Sequence, residues 1–539
     1  MKKLGLLLVA VLMVIATTLG NMTSVAAKTA SKQVFNLQSQ GELLTLDPAQ
    51  ATEGVSLVAI TNTVEGIYRL NSKSQPQPAL AKSVAKPSVD GLHYTIKLRK
   101  NVKWSNNTPV TAKDVVYGWR RVVDPKTAAP YAYLFDGIKN ATAIQEGKAD
   151  PETLGVSAPD DYTLQIDLER PIPYLDVLLA FPTFFPQNEA YVKEQGKKFG
   201  TSANNVLASG PYVLKGWSGT QQKWQMVKNK KYWDKKNVKM QTINVRVVKQ
   251  VSTALNLFQT GKLDDIVLTG AIARSNKNNK DVVMRKGSST KYLVPNFNQT
   301  LKDEKLRLAI SQVIDRKSLA KNVLGDGSIA SIGLIPQGLM SNPKTGQDFA
   351  KQAGKGVYTD VKNAKKLWKE YRATNKQPVT LTLLTSDEDT DKATAEYIQS
   401  AIESKLKGIK VDVQAVPDKV VQQRAKNGEF DLYLANWGAD YPDAISFLDM
   451  FIPGSSFNYG QYNDATYTDL IKKAKITDAA DTQLRYQDLL EAEKLLMKQQ
   501  GVIPLYQRAV MHLNNKKIKG IIYYPTGSHF DYKYVEKKN

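Results

Sequence analysis

"QPVTLTLLTSDEDTDKATAEYIQSAIESKLKGIKVDVQAV", residues 377–416, reads as strand, helix, strand. The first piece is a short β-branched apolar run. A helical stretch follows to about Leu406, and "GIKVDVQAV" closes the unit as a second strand. A β-α-β order requires a crossover, and a crossover lays its two strands parallel. This segment sets the class as α/β.

Outward from it the pattern continues. "FDLYLANWG" (430–438) reads as a further buried strand and "TQLRYQDLLEAEKLLMKQQ" (482–500) as a long amphipathic helix. "LKDEKLRLAISQVIDRKSLAKNVL" (301–324) is an amphipathic helical region. "STALNLFQTGKLDDIVL" (252–268) is a helix stopped near Gly261, then a strand. Earlier, "HYTIKL" (93–98) alternates like a strand, and "DYTLQIDLERPIPY" (161–174) is another strand ended by prolines. "TPVTAKDVVYGWRRVV" (108–123) begins a helix, with Thr111 as N-cap and Asp114 in the first turn. At 539 residues, 42% hydrophobic and 23% charged, the chain supports two or three lobes with sizeable cores.

The N-terminus reads as an export signal. Lys2 and Lys3 precede an apolar run from Leu4 to Ala16, and Val25–Ala27 offers a small-residue cleavage site. The run is short for a spanning helix of ~20 residues, so a secreted mature chain beginning at residue 28 is expected; the alternative is an uncleaved anchor. Bacterial lipoproteins carry a cysteine soon after such a run, but Asn21 stands there and the chain has no cysteine. Disulfides, thiol chemistry and thioether lipidation are thereby excluded.

Formal net charge is +23, and loss of Lys2 and Lys3 with the signal leaves about +21. Nucleic acid is one partner for such a chain, but export and the even spread of lysines argue against it. Anionic cell-wall polymers are a second candidate, and a merely solvated lysine-rich surface a third. Catalytic patterns are missing. His93, His512 and His529 have no metal-ligand spacing, and no G-x-S-x-G elbow, Walker loop or dinucleotide fingerprint occurs. No metal or cofactor is expected.

"ANWGADYPDAISFLDMF" (435–451) sets Asp440 between Trp437 and Tyr441. By its residues alone, Asp440 is either a turn or cap residue near Pro442 or a buried charge awaiting a cation.

The chain resembles the oligopeptide-binding proteins of peptide ABC importers, bacterial solute-binding protein family 5. The resemblance runs from about Gln33 to Tyr534 through ordered motifs. These are "LDPAQATEGVSLVAITNTVEGIYRL", "NVKWSNNTPVTAKDVVYGWRRVVDPKTAAPYAY", "ASGPYVLKGW", "NKKYWD", "ALNLFQTGKLDDI", "NFNQ" with "LRLAISQVIDRKSL", "FDLYLANWGADYPDAISFLDMF", "NYGQYNDATYTDLI" and "VIPLYQ". It implies a two-lobed periplasmic-binding-protein-like fold with a hinge between the lobes. Lobe I would comprise 28–67, 189–291 and 499–539, with a subdomain, 68–188, inserted in it; lobe II would be 292–498.

The same resemblance implies site residues. Asp440 would take the ammonium of a bound oligopeptide. Glu53, Gly54 and Val55 in one lobe and Asn436, Trp437 and Gly438 in the other would hold its main chain. Tyr131 and Tyr506 would line the cleft, and Arg424 would lie near the ligand carboxylate. Leu434 departs from the family, since some relatives have a basic residue there. "VPDKV" (416–420) likewise lacks a tryptophan found in close relatives, which leaves peptide length and carboxylate fixing open. The expected function is peptide capture and delivery to an importer permease, by a monomer without enzymatic activity. The alternatives are an envelope-associated binder of a signalling peptide, an adhesion protein on the same fold, and an exported hydrolase acting through a carboxylate pair.

Overall fold

Two long antiparallel strands, Val282–Pro295 and Ile503–Asn514, run through the middle of one eleven-stranded sheet. The computed structural model describes residues 33–539, apart from the side chains of Asp418 and Lys419. The expected signal, Lys2 to Ala27, lies outside the described residues. Among the described residues no helix is long and apolar enough to cross a membrane.

On one side of the long pair the sheet continues through Leu432–Gly438, Val379–Ser386 and Ile409–Val416. The last two strands are parallel and in register over eight residues, from Val379 opposite Ile409 to Ser386 opposite Val416. The helix Asp389–Lys405 makes the crossover, as the opening segment of the sequence required. On the other side the order is Asp265–Leu268, Val34–Ser39, Thr242–Val247, Lys223–Lys228 and Tyr212–Lys215. Each half covers its own apolar faces, one around Leu381, Ile398 and Leu432, the other around Phe35, Trp224 and Ile243. The result is two α/β lobes on a shared sheet.

The long strands slip register between Lys286 and Thr290, opposite Gln507 to Ala509. A slip of this kind is a bulge, which bends the strand and raises its local twist. The freed groups are taken up from both sides: Ser288 N–H donates to Pro525 O at 3.1 Å and Ser288 O accepts from Ala439 N–H at 2.8 Å. Gly287 suits this crowding, since a Cβ there would approach Arg508 O to 3.3 Å.

A smaller body packs on the first lobe. Its sheet joins His93–Lys97, Thr163–Asp167 and Val156–Asp160. The helix Ala112–Val123 starts where Thr111 N–H donates to the Asp114 carboxylate at 2.7 Å, a capping box. Trp119 from that helix meets the edges of Phe135 and Phe184, and its Nε1–H donates to Phe184 O at 2.9 Å. The helical region 301–324 breaks at Ile314. Asp303 caps Glu304–Val313, and Asp315 caps a new turn through Ser318 N–H.

In the loop after Gly438, Asp443 is buried and grips Arg485 of the helix Thr482–Lys498 through two hydrogen bonds, 2.8 and 2.9 Å. Removing one partner of such a pair leaves an uncompensated buried charge. Arg485→Ala should therefore lower unfolding free energy by about 3–5 kcal/mol, measured by urea denaturation at pH 7. A loss below about 1 kcal/mol would show that the loop holds without the pair.

Candidate functional site

Asp440 follows the strand Leu432–Gly438 and faces the inserted body. Ala439 N–H, bonded to Ser288 O, ties the strand exit to the hinge bulge. Asp440 N–H donates to Ser446 Oγ at 3.2 Å, and Trp437 Nε1–H donates to Ser446 O at 2.8 Å. The carboxylate accepts the Tyr133 hydroxyl at 2.8 Å, and the Tyr131 hydroxyl also bonds it. Both tyrosines belong to the inserted body, so these bonds cross between lobes. Among the described residues no cation pairs with Asp440. Burial raises its pKa from 3.8 to about 6, with the two hydroxyls pulling the other way. The residue is thus a charge held in a dry place by neutral donors.

Two cavities flank it. One, of about 880 Å³, has Tyr133, Trp437, Asp440, Tyr441 and Phe457 in its wall. Its rings are interlocked: Trp437 meets Phe457 at 4.9 Å and Tyr174 stacks on Tyr441 at 4.3 Å. The other, of about 1060 Å³, lies between Glu53, Gly54 and Val55 on one side and Asn436 and Gly438 on the other. Glu53 caps the helix Gly54–Thr63 by accepting from Ser56 N–H at 3.0 Å.

The main chain at Asn436–Gly438 is available. On one edge the strand pairs with Ser289–Lys291. On the other, Val379–Ser386 pairs with Leu432 and Tyr433 only, so beyond Tyr433 no described strand occupies that edge. Backbone groups alternate between edges in an antiparallel pair. Since Ala439 N–H points to Ser288, the groups of Gly438 and Asn436 turn to the open edge.

The sequence-derived residues divide accordingly. Asp440, Tyr131, Trp437, Asn436, Gly438, Glu53, Gly54 and Val55 gather around the interlobe space. Tyr131 is half-buried, edge-on to Phe181 at 5.2 Å. Tyr506, expected in the cleft, is instead 2% exposed in the core beneath the helix Asp389–Lys405, its hydroxyl bonded to Thr394. Two residues further along the same strand face, Arg508 emerges into the larger cavity. Arg424, expected near the ligand carboxylate, lies in the last turn of the helix Asp418–Lys426, bound to Gln414 and 3.5 Å from Glu429; it lines neither cavity. Tyr133 was missed although it stands two residues after Tyr131. With 25 tyrosines, nothing in the sequence marks the one that reaches across to Asp440.

Residues 75–459 match the family model of bacterial extracellular solute-binding proteins, family 5. The chain belongs to this family. A dipeptide-binding protein of Lactococcus lactis is 33% identical, with 95% of this chain and 96% of the relative covered. A Listeria monocytogenes OppA structure bound to peptide superposes with a TM-score of 0.83 at 39% identity, covering 95% of this chain and all of that one. The Escherichia coli murein tripeptide binding protein MppA, 30% identical, has been solved twice. One structure matches with a TM-score of 0.79, covering 94% of this chain and 99% of its own. The unliganded open form scores 0.74, covering 94% and 98%. The present lobe arrangement, with Tyr133 bonded across to Asp440, departs further from that open form.

Asp440 makes closure depend on pH. In an open cleft a hydrated aspartate titrates near 3.8; in the closed one the value is about 6. Closing the empty cleft therefore takes up a proton between these values. Closure is easiest below the lower value and carries its full penalty above the higher one. Scattering of the ligand-free protein should show a smaller radius of gyration at pH 5 than at pH 7, and Asp440→Asn should remove the difference. A pH-independent wild-type radius would contradict this assignment.

Proposed function

We propose that this chain captures oligopeptides between its lobes and presents them to the permease of an ABC importer. The observation that carries the proposal is Asp440: a buried carboxylate at the interlobe contact, beside an open strand edge, paired with no cation. A peptide supplies what is missing. Its α-ammonium gives the opposite charge, and a charge-assisted hydrogen bond in a water-poor site is stronger than its solvated counterpart. Its backbone adds a strand along Asn436–Gly438, with Gly54 and Val55 on the facing side. Main-chain pairing of this kind reads no side chain, so it suits a broad range of sequences. The relatives named for dipeptide and peptide binding support the reading.

The proposed mechanical division follows the same plan. Lobe I is 28–67, 189–291 and 499–539, the subdomain is 68–188 and lobe II is 292–498. The bulge at 287–289 and the facing residues 507–509 are where the two crossing strands would flex. The protein would act as a monomer outside the cytoplasmic membrane. Its surplus of lysines would hold it on anionic wall polymers.

Asp440→Asn should weaken peptides with a free N-terminus by about 2–5 kcal/mol, the cost of truncating one partner of a buried charge pair. N-acetylation of the peptide should cause a similar loss in the wild type. Titration calorimetry on matched free and acetylated peptides decides the matter: equal affinity for both rules out the ammonium anchor.

Electrostatic retention has its own signature. Screening length falls from ~8 Å at physiological salt to ~3 Å at 1 M, so a wash of intact cells in ~1 M salt should release most of the protein. Release by detergent alone would overturn wall retention and indicate an uncleaved anchor.

A further inference from the structure

Two arginines lie on the floor of the larger cavity, one on each hinge strand. Arg285 stands opposite Val510 across the long pair, and Arg508 is two residues from Val510 on the same face. Diagonal neighbours of this kind have side chains roughly 7–8 Å apart at their bases, within reach for two arginines. Arg285 is 7% exposed and lies over the rings of Phe530 and Tyr523 at 5.1 and 5.8 Å. Its Nη1 is buried without a hydrogen bond, 3.5 Å from Asp265 Oδ2. Asp265 is already engaged, with His512 Nδ1 at 2.7 Å and Asn514 Nδ2 at 2.8 Å. Arg508 is exposed to the cavity, and among the described residues no carboxylate pairs with it. Other acids of that wall are committed: Glu42 pairs with Lys249 at 2.8 Å, and Glu53 caps its helix.

The floor therefore presents two guanidinium groups with one shared and largely occupied acid. A guanidinium donates through a planar fork that matches a carboxylate in two parallel hydrogen bonds. The strand spacing sets the distance to the ammonium anchor. Gly438 faces Ser289, and Arg508 lies one strand further, so its main chain is about 10 Å from Gly438 at ~4.8 Å per strand. Arg285 is four residues from Ser289, about 13 Å along the strand. An extended peptide covers such spans in roughly three to five residues.

We infer that Arg285 and Arg508 form a carboxylate-binding site on the hinge floor, and that the favoured ligand is a short peptide carrying a carboxylate some three to five residues from its ammonium. This inference rests on the peptide-capture reading and adds a ligand class to it. The carboxylate is the peptide's own C-terminus or an acidic side chain at that position. Because the site lies on the two strands that bend at the bulge, an anion bound there also joins both hinge strands.

The test uses calorimetric titration of the full-length secreted protein with three probes: tetra-alanine, its C-terminal amide, and the amide with glutamate as fourth residue. In the wild type, amidation should cost about tenfold or more in affinity, as for loss of a charge-assisted pair. Recovery by the glutamate amide would show that a side-chain carboxylate also serves. No recovery would assign the site to the C-terminus, and either outcome upholds it. Arg508→Gln, at an exposed position that spares the fold, should bind the free acid and the amide alike. Arg285→Gln should act in the same direction. A wild-type loss below about threefold on amidation, or an equal loss in Arg508→Gln, overturns the inference. If tetra-alanine still binds while its N-acetyl form does not, peptide capture stands without it. If no peptide binds, both fall.

Discussion

The antiparallel pair Val282–Pro295 and Ile503–Asn514 is the constraint on which the rest depends. These two strands belong to both lobes at once, so the molecule is one sheet bent at one place. A continuous ladder of this length would be stiff. The slip between Lys286 and Thr290 interrupts it and hands the freed backbone groups to Ala439 and Pro525. The strand leading to Asp440 is thus bonded to the bulge itself. Any change of angle between the lobes moves the anchor relative to the wall that carries Tyr131 and Tyr133.

Two aspartates three residues apart show how burial separates structural from functional charge. Asp443 is buried and fully answered by a bidentate Arg485 and by Ile445 N–H. Its role is to fix the loop. Asp440 has only tyrosine hydroxyls, and burial shifts it toward its neutral form. Neutral donors soften the desolvation penalty without abolishing it. The site is stable enough to exist empty and still favours a cation when one arrives, which is the condition for binding that also closes the cleft.

Closure has further contributors outside the site. Tyr174 of the inserted body stacks on Tyr441, and Arg485 lies 5.6 Å from the Tyr174 ring centre. Lys475 bridges Asp449 at 2.8 Å and Asp136 of the inserted body at 3.4 Å, while Arg170 holds Asp136 at 2.7 Å. Burial alone would raise the pKa of Asp136, but Arg170 and Lys475 outweigh it and keep the group below the ordinary aspartate value. These contacts are partly solvated ion pairs and aromatic faces, each of modest strength. They favour the closed arrangement without locking it.

Local pattern determined much of this protein. The β-α-β unit at 377–416, the helix capped at Thr111 and the strand through Asn436 follow from periodicity and end chemistry, which act over a few residues. The ordered motifs marked the family and brought Asp440, Glu53–Val55 and Asn436–Gly438 into view. What local pattern left open was which side chains meet across the lobes. Tyr506 and Arg508 share a strand face and differ only in what covers them, one under a helix and one over the cleft. Arg424 sits on a helix whose neighbours, Gln414 and Glu429, claim its charge. Tyr133 finds Asp440 from 307 residues away in sequence. Such placements depend on how the lobes pack and how far the bulge bends the sheet. Both are properties of the assembled sheet, and no window of the chain encodes them alone.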